Sequence, residues 1–594
     1  MKNAETPPAQ ASGWTFGDYR LDPSQRRLCR SDGSPVALTP RLFDALLLFV
    51  QRPGQLLGKG TLIEALWPGL VVEENNLNQA ISALRRALGD DPQASRYIQT
   101  VPRRGFRFVA EVRPWAEAAP AAAPVSPPPS LAVLPFMPLL DTDRDPLLEM
   151  GMAESLISRL SALPGIAVRS IGAVRSYARP DQDPVLAARE LKVDWIVDGT
   201  VQHDGDRIRV AARLLRADGT SRWSGSFDES FTSVFDVQDM ISERVARVLS
   251  PRLAARDARA VAAGGSPNAD AYQLYLAART QAQGMRPSGL RRSITLFRKA
   301  IELDPDYALA HAGLAETLRR LPFIADSSPT ESFEAARAEA LRALDLDPSL
   351  AEGHAALGWV RFWYEWDWAG AEQAFRRAIE LNPNVWEAHL GLGHLLSSQG
   401  RDDEGFPHVQ RARELDPLSL ITNTIEAGYL LARGRRADAD ERMRRVLEID
   451  PDFWVAHLTL ASFHLADREP AKAIAALRRA QQASEGESTQ PTALLGLLLA
   501  ATGHTDEARA ELQRLRLAST QRYVPPTSIA ALHLGLGERS DALDCLERGY
   551  EVRDTRMAFL KTDSRWAALR EEPRFAGLLR KMKLDSVPEG KAAH

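Results

Sequence analysis

A repeat of about 34 residues constrains the fold of this chain more than any other feature. Prolines preceded by Leu-Asp, or by a close variant of that pair, recur at spacings of 43, 35, 34 and 34 residues: Pro305, Pro348, Pro383, Pro417 and Pro451. Glycines follow two of them after seventeen residues, at Gly400 and Gly434. Proline ends a helix, and glycine permits the turn between two helices. The period therefore predicts an α-solenoid of stacked helix pairs.

Within each unit, a leucine followed by glycine or alanine stands nine residues after four of the five prolines, and Glu426-Ala427 takes that place at the fifth. This pattern resembles the tetratricopeptide repeat. The resemblance implies about eight units between residues 269 and 555, in a domain of residues 269–585, with an insertion around Pro322 to Ser332. It also implies a concave surface that binds a protein, a peptide or a small effector.

The rest of the chain divides into further domains, because 594 residues are too many for one hydrophobic core. Residues 116–130 are rich in proline and alanine, which favours an extended linker. A second break in composition lies at residues 264–268. We expect a multidomain, mainly α protein with domains at residues 14–112, 131–255 and 269–585, and a linker at 113–130.

The cellular setting is indicated by cysteine content and by hydropathy. Only Cys29 and Cys545 occur, in different predicted domains, so a disulfide framework or a cysteine metal site is not expected. The N-terminus has no apolar signal-peptide core, and no uncharged apolar run approaches the roughly 18 residues that span a bilayer. These observations predict a cytoplasmic protein without a membrane partner.

The N-terminal module carries positive charge on an acidic chain. Residues 14–113 contain 14 Lys and Arg against 10 Asp and Glu, whereas the whole chain has a net charge of −4. A basic module on an acidic body predicts one anionic partner.

This module begins with short alternating stretches and an Asp32-Gly33 turn, a pattern typical of a small antiparallel sheet. Thr39-Pro40 then predicts a helix start, and a second helix near Lys59 to Trp67 is stopped by Pro68-Gly69. The segment from Glu73 to Leu88 places leucines and Ile81 on one face and amides on the other. Tyr97 to Val109 follows as a hairpin with a basic tip.

Together these pieces resemble the C-terminal effector domain of OmpR/PhoB-type response regulators, a winged helix-turn-helix. The matching residues are Leu38-Thr39-Pro40, Leu66-Trp67, Glu73 to Leu88, and Gln99-Thr100-Val101 through Gly105-Phe106-Arg107-Phe108. The resemblance implies double-stranded DNA as the partner and Glu73 to Leu88 as the recognition helix. The residues expected to face bases are Asn75, Asn76, Gln79, Ser82 and Ala83. Those expected along the DNA backbone are Trp67, Arg85, Arg86, Thr100, Arg103 and Arg104.

The chain departs from the family pattern in two respects. Asn75, Ser82 and Ala83 stand where basic residues are common, so weaker binding per monomer and a homodimer on repeated half-sites are expected. The chain starts about a dozen residues before the first predicted strand, so control by an in-chain receiver domain is not expected.

The middle segment combines a strand at Leu131 to Phe136, a helix at Leu147 to Leu160, a three-stranded meander from Trp195 and a closing helix at Val234 to Leu249. This α/β pattern resembles the TolB amino-terminal-like domain, and the whole arrangement resembles the CadC-like class of bacterial regulators without the transmembrane helix. The meander's Arg207, Arg209 and Arg213 are interpreted as a solvated sheet face rather than as an anion site.

Catalytic signatures are missing, so neither an enzyme nor a cofactor is expected. Four histidines, each six residues after a repeat proline, are spaced too far apart to share one metal ion: His311, His354, His389 and His457. The aromatic group from Trp359 to Trp368 is interpreted as helix packing rather than as a ligand cage. The leading hypothesis is a DNA-binding transcription regulator, and the alternative is a repeat scaffold with a degenerate winged helix.

Overall fold

The computed structural model describes the following residues: 13–23, 26–31, 34–67, 72, 74–115, 129–138, 145–161, 163, 165–179, 181–204, 207–230, 234–249, 266, 268–282 and 286–585. The chain divides into two compact units, residues 1–127 and 128–594. Each unit is described by itself below.

The first unit contains two antiparallel sheets. Five strands make one sheet in the order β4-β3-β2-β1-β8: β1 (Gly13–Phe16), β2 (Tyr19–Asp22), β3 (Arg27–Arg30), β4 (Pro35–Val36) and β8 (Val112–Trp115). Three strands make the other, in the order β5-β7-β6: β5 (Leu56–Gly58), β6 (Ile98–Val101) and β7 (Gly105–Phe108). Because β8 pairs with β1, this domain extends to Trp115, past the predicted boundary at 112.

Three helices follow β4 along the chain, with β5 between the first two: α1 (Pro40–Val50), α2 (Lys59–Leu66) and α3 (Glu74–Leu88). The Thr39 hydroxyl accepts a hydrogen bond from the backbone N–H of Leu42 and Pro40 opens the helix, as the sequence predicts. Leu77, Ile81 and Leu84 of α3 are fully buried in a core that also holds Phe49. Glu73 and the predicted Asp32-Gly33 turn lie outside the described residues.

The second unit opens with an α/β domain whose sheet has the order β10-β9-β11-β12-β13. Its strands are β9 (Ser130–Val133), β10 (Ala167–Val168), β11 (Trp195–Asp204), β12 (Arg207–Arg216) and β13 (Ser221–Ser230). β9 pairs in parallel with β10 and β11, and the last three strands form an antiparallel meander. Its helices are α4 (Pro146–Ser161), α5 (Ile171–Val174), α6 (Pro184–Leu191) and α7 (Val234–Leu249).

The alternation predicted for β12 is present in the structure. Ile208, Val210 and Leu214 are buried, whereas the three arginines between and beside them are exposed. Arg207 and Arg209 both bind the Asp228 carboxylate, and Arg213 binds that of Asp198. This sheet face therefore compensates its own charge, which agrees with the interpretation as a solvated face.

Among the described residues after the α/β domain there are eight helix pairs, as many as the repeat period predicts, and then one shorter helix. Their bounds are Ala269–Ala282 and Pro287–Leu303, Ala308–Ile324 and Pro329–Leu346, Ala351–Val360 and Trp368–Leu381, Trp386–Ser398 and Asp402–Leu415, Leu420–Ala432 and Arg436–Ile449, Trp454–Ala466 and Pro470–Ala483, Gln490–Ala501 and Thr505–Ser519, Pro526–Gly535 and Arg539–Glu551, then Pro573–Lys581. A π-helical turn, Arg361–Glu365, extends the third pair's first helix. The predicted insertion lengthens the second pair, whose first helix continues through Pro322.

The regularly spaced histidines tie the repeats together. In each case the Nε2 atom lies 2.9–3.1 Å from the carbonyl oxygen of the proline six residues earlier: Pro305 for His311, Pro348 for His354, Pro383 for His389 and Pro451 for His457. In the fifth repeat the Asn423 amide donates to the Pro417 carbonyl instead. The six-residue spacing thus has a structural explanation, which is a side-chain hydrogen bond that closes the turn between repeats.

The aromatic group of the third repeat packs against the end of the chain. Phe559 lies 5.6 Å from Trp363 between ring centroids, and the Trp368 indole N–H donates to the Met582 carbonyl. The sequence predicted packing for these tryptophans but did not indicate this distant partner.

The α/β domain is joined to the repeats by specific contacts. Asn384 donates to the carbonyls of Ser161 and Ile166. Arg279 forms an ion pair of 2.8 Å with Glu154 of α4. Domain and repeats therefore form one packed unit. Among the residues that the structure describes, no helix combines the length and the hydropathy needed to cross a membrane.

Candidate nucleic-acid interface

The outward face of α3 consists of hydrogen-bonding side chains. Asn75, Asn76, Gln79 and Ser82 are exposed, and Ala83 is half-buried between them and the core. They share one side of the helix because residues three and four positions apart lie on the same face. Amides and hydroxyls of this kind can donate and accept along base edges. Asn78 is also exposed, on the flank of this face, and the sequence analysis did not single it out.

The hairpin after α3 presents two arginines at its tip. Arg103 and Arg104 are exposed, and the backbone N–H of Arg104 donates to the Val101 carbonyl across the turn. Arg103 adopts a left-handed conformation with φ of 62° after Pro102, which follows the backbone of a type II turn. Gly105 has φ of 143°, and a Cβ there would lie 2.0 Å from the Leu57 carbonyl oxygen. Only glycine therefore lets β7 approach β5 at the base of the tip.

Arg85 has a role different from the one that the sequence suggested. Its side chain is buried, and its guanidinium donates to the Ile98 carbonyl and to the Thr100 hydroxyl. On α3 it lies one residue from Leu84, on the flank that faces β6. Arg85 is therefore engaged within the domain, where it fixes the hairpin to α3, and its side chain is not available to an external ligand. Arg86, its neighbour, is exposed.

Asp90 completes this connection from the opposite side. Its buried carboxylate accepts hydrogen bonds from the backbone N–H groups of Arg96, Tyr97 and Ile98, at 2.6, 3.1 and 2.8 Å. It also lies 4.0 Å from the Arg85 guanidinium. Helix α3 and the hairpin are thus held at one mutual orientation by buried charge-assisted hydrogen bonds. Sequence reasoning did not identify Asp90.

Trp67 is buried, and its ring is covered by the guanidinium of Arg41. Its side chain is only 7% exposed, and the Arg41 guanidinium lies 4.9 Å from the centre of its ring. Arg41 itself is exposed, in the first turn of α1. The group available to an anion at this place is therefore Arg41, which the sequence analysis did not include. A cationic residue directly after the Thr39-Pro40 helix start was the signal that would have indicated it.

The cations of this surface are not neutralised by nearby carboxylates. Arg86, Arg103 and Arg104 form no ion pair with another residue in the described part of the chain, whereas Lys59 is paired with Glu74 at 2.6 Å. Exposed amides on α3, with uncompensated arginines at its end and at the hairpin tip, form a surface suited to an anionic polymer with hydrogen-bonding edges.

Comparison with protein families agrees with this description. Residues 33–108 match the family described as "Transcriptional regulatory protein, C terminal". Residues 361–419 and 426–488 match "Tetratricopeptide repeat". The chain therefore carries the winged-helix DNA-binding domain of transcriptional regulators, followed by tetratricopeptide repeats.

The chain is also similar to two named transcriptional regulators and to a protein named as an adenylate cyclase. The transcriptional regulator HilA of Salmonella typhimurium is 22% identical over 418 residues, covering 69% of this chain and 72% of the relative. The transcriptional activator CadC of Escherichia coli is 36% identical over 97 residues, which is 16% of this chain and 19% of the relative. A putative adenylate cyclase 3 of Rhizobium meliloti is 29% identical over 242 residues, or 39% of this chain and 41% of the relative.

Proposed function

We propose that this protein is a transcriptional regulator that binds specific double-stranded DNA sequences with α3 in the major groove and the hairpin tip along the backbone. One observation carries the proposal: the exposed amide face of α3 and the uncompensated arginines of the hairpin are locked in one orientation by Arg85 and Asp90. A preorganised pair of elements can contact a groove and the neighbouring phosphates together.

The proposed roles are as follows. Asn75, Asn76, Gln79, Ser82 and Ala83 face bases. Arg86, Thr100, Arg103, Arg104 and Arg41 lie along phosphates, with Trp67 supporting Arg41. Recognition of repeated half-sites by two copies would compensate for the small number of cations per monomer.

The experiment that tests this proposal is selection of genomic fragments by the full-length protein, followed by affinity measurements at two salt concentrations. Enrichment of a repeated motif, bound with a steep salt dependence, is the expected result. If no fragment is enriched and the remaining binding ignores sequence, the regulator proposal fails and the repeat scaffold becomes the better account. Replacing Arg103 and Arg104 by alanine also separates the regulator from the scaffold. A regulator should lose DNA affinity, whereas a scaffold should keep its protein partner.

The repeats are proposed to bind a protein or peptide partner. The first helices of repeats one to four bring together Arg279 and three carboxylates, Glu316, Glu352 and Glu387, and burial together with the Glu316 charge raises the pKa of Glu387 to about 7. Glu154 pairs with Arg279, and Arg319 and Arg320 pair with Glu316, so four carboxylates face three cations. This excess of one carboxylate favours a positively charged segment. A peptide array of mixed charge tests this assignment. The full chain should retain cationic peptides, and a Glu352→Gln, Glu387→Gln variant should lose them.

We further propose that the chain acts without catalysis, in spite of the similarity to a putative adenylate cyclase. The sequence lacks the common nucleotide-binding loop. Incubation of the purified chain with ATP and Mg²⁺ or Mn²⁺ should yield no cyclic nucleotide. Formation of one above the level of a heat-denatured control would contradict this part of the proposal. A cytoplasmic location and a TolB-like central domain stay predictions from the sequence.

A further inference from the structure

The strand β13 forms an open edge of the central sheet. It runs for ten residues without proline, and within the described residues no strand pairs with it on the side away from β12. From Arg222 to Asp228 its residues alternate between exposed and half-buried. Natural proteins usually shorten, bend or cover such an edge, because its free backbone groups can pair with another chain. The pairing of β13 with β12 has one irregularity, between Ser221 and Trp223, and the rest of the strand is a long, exposed edge and therefore a candidate interaction surface.

The sequence of β13 is complementary to itself when two copies run antiparallel. With Gly225 opposite Gly225 of a second copy, Arg222 faces Asp228, Ser224 faces Ser226, and Trp223 faces Phe227. Arg222 thus meets Asp228, which also binds Arg207 and Arg209 of its own sheet, and each aromatic residue meets an aromatic residue. Glu229 faces Ser221. Opposite charges and aromatic pairs are the cross-strand combinations that stabilise antiparallel sheets.

In the single copy, the side chains that this pairing would use already lie on the two faces of β13. Arg222, Ser224, Ser226 and Asp228 are exposed on the side of β13 that α7 does not cover. On the other side the Trp223 and Phe227 rings lie 6.5 Å apart over Gly225, where a Cβ would come within 2.8 Å of the Trp223 ring. A twofold axis at Gly225 would therefore bring four rings together on one face and two ion pairs on the other.

We propose that β13 is a homodimer interface, in which two copies of this chain join their central sheets through antiparallel pairing of residues 221–229 centred on Gly225. The partner is a second copy because Arg222 and Asp228 lie three residues on either side of Gly225, so that two antiparallel copies place opposite charges together. A partner of unrelated sequence would not require this symmetry. The link to DNA rests on the proposed function: one dimer presents two winged helices to repeated half-sites.

Dimerisation is measured on the full-length chain by sedimentation velocity over a concentration series without DNA, so its outcome is independent of DNA binding. Arg222→Glu places like charges opposite each other twice per dimer and should weaken association by about tenfold. Asp228→Lys should do the same. An equimolar mixture of the two variants restores both ion pairs in the heterodimer, so association should return to the wild-type level.

Arg298→Glu, an equal charge change on an exposed helix of the first repeat, serves as the control and should leave association unchanged. The proposal is overturned if the wild-type chain is monomeric throughout the series, if neither β13 variant weakens the dimer, or if the mixture does not regain affinity.

A second measurement covers the case in which Asp228→Lys, placed beside Arg207 and Arg209, fails to fold. Ser224→Cys mixed with Ser226→Cys should give a disulfide between positions 224 and 226 of different chains, identified by peptide mass spectrometry. Directly opposite residues are close enough for this bond, whereas each variant alone offers only a diagonal pair. Equal cross-linking in the mixture and in the single variants would contradict the Gly225-centred register.

Discussion

The exposed arginines of α3 and of the hairpin tip differ from the arginines that join neighbouring repeats. In the repeats, arginines bind carboxylates of the neighbouring repeat: Arg342 with Asp306, Arg401 with Glu372, Arg436 with Asp467, Arg479 with Asp452, Arg478 with Glu507, Arg509 with Glu538 and Arg574 with Glu547. In the winged helix, Arg86, Arg103 and Arg104 form no ion pair with another described residue. Exposure alone therefore does not show whether an arginine is available to an anionic ligand, and the absence of a nearby carboxylate is the more informative property.

Within the winged helix the same contrast separates two neighbours in sequence. Arg85 is buried and bonded to the hairpin, whereas Arg86 is exposed. The first holds the interface together, and the second is available to a ligand. The predictions below test this division between supporting and contacting groups, beginning with the largest expected effect.

Replacing the supporting carboxylate should have the largest effect. Asp90→Ala leaves three backbone N–H groups and the Arg85 guanidinium without their buried partner, so the free energy of unfolding of residues 1–127 should fall by about 3–5 kcal/mol. Urea denaturation measures this change. Asp91→Ala, at the exposed neighbouring residue, should cost less than about 1 kcal/mol. Equal losses would show that Asp90 does not hold the hairpin.

In the repeats, His389 should make stability depend on pH. Burial and the neighbouring His408 lower the pKa of His389 to about 4, so the folded state keeps the ring neutral. Below its usual pKa of about 6.5 the unfolded chain binds a proton that the folded one does not. The neutral His389 ring therefore contributes fully to the free energy of unfolding above pH 6.5. This contribution, up to about 3 kcal/mol, is lost as the pH falls towards 4.

The measurement is chemical denaturation of residues 128–594 between pH 4 and 7. His389→Asn should reduce the slope of stability against pH in this range. His354→Asn is the matched control, since His354 bonds the Pro348 carbonyl in the same way from a half-buried position. If both variants change the slope equally, burial at His389 is not the cause.

The exposed cations should control DNA affinity without affecting folding. The double substitution Arg103→Ala, Arg104→Ala should lower affinity about 10- to 100-fold and reduce the slope of log K against log salt by about 2, because two phosphate contacts are lost. Fluorescence anisotropy at several salt concentrations measures both quantities. Arg298→Ala with Lys299→Ala removes the same charge from the repeats and should leave the slope unchanged.

A single amide on α3 should have the smallest and most selective effect. Gln79→Ala should weaken binding to the preferred site by about tenfold and relax the preference at one base pair, since a bidentate contact to a base edge discriminates by about 1–3 kcal/mol. Repeating the fragment selection with the variant reveals this change. Gln93→Ala, in an exposed turn outside α3, should alter neither the affinity for the preferred site nor the base preference. A uniform loss on all sequences would place Gln79 at the backbone instead.

Much of this molecule follows from periodic patterns in the sequence. The eight helix pairs, the buried face of α3 and the alternating faces of β12 agree with the structure, because each depends on residues a few positions apart. The strand β8, just after the expected boundary at 112, could not be predicted, because it is recognised only by its pairing with the distant β1. The contact of Trp363 with Phe559, nearly two hundred residues away, could not be predicted from the sequence either.

By itself the sequence determined which faces of the helices and strands are polar, where the repeats turn, and that the N-terminal module presents amides and cations. These properties follow from local spacing, since helix and strand geometry assigns each residue to a face. The tertiary structure alone decided which polar residues are available: it turned Arg85 inward to Ile98, set Arg41 over Trp67, and left β13 at the edge of its sheet. Availability depends on which segments meet in space, and hydrogen bonds between distant segments leave no periodic trace in the sequence.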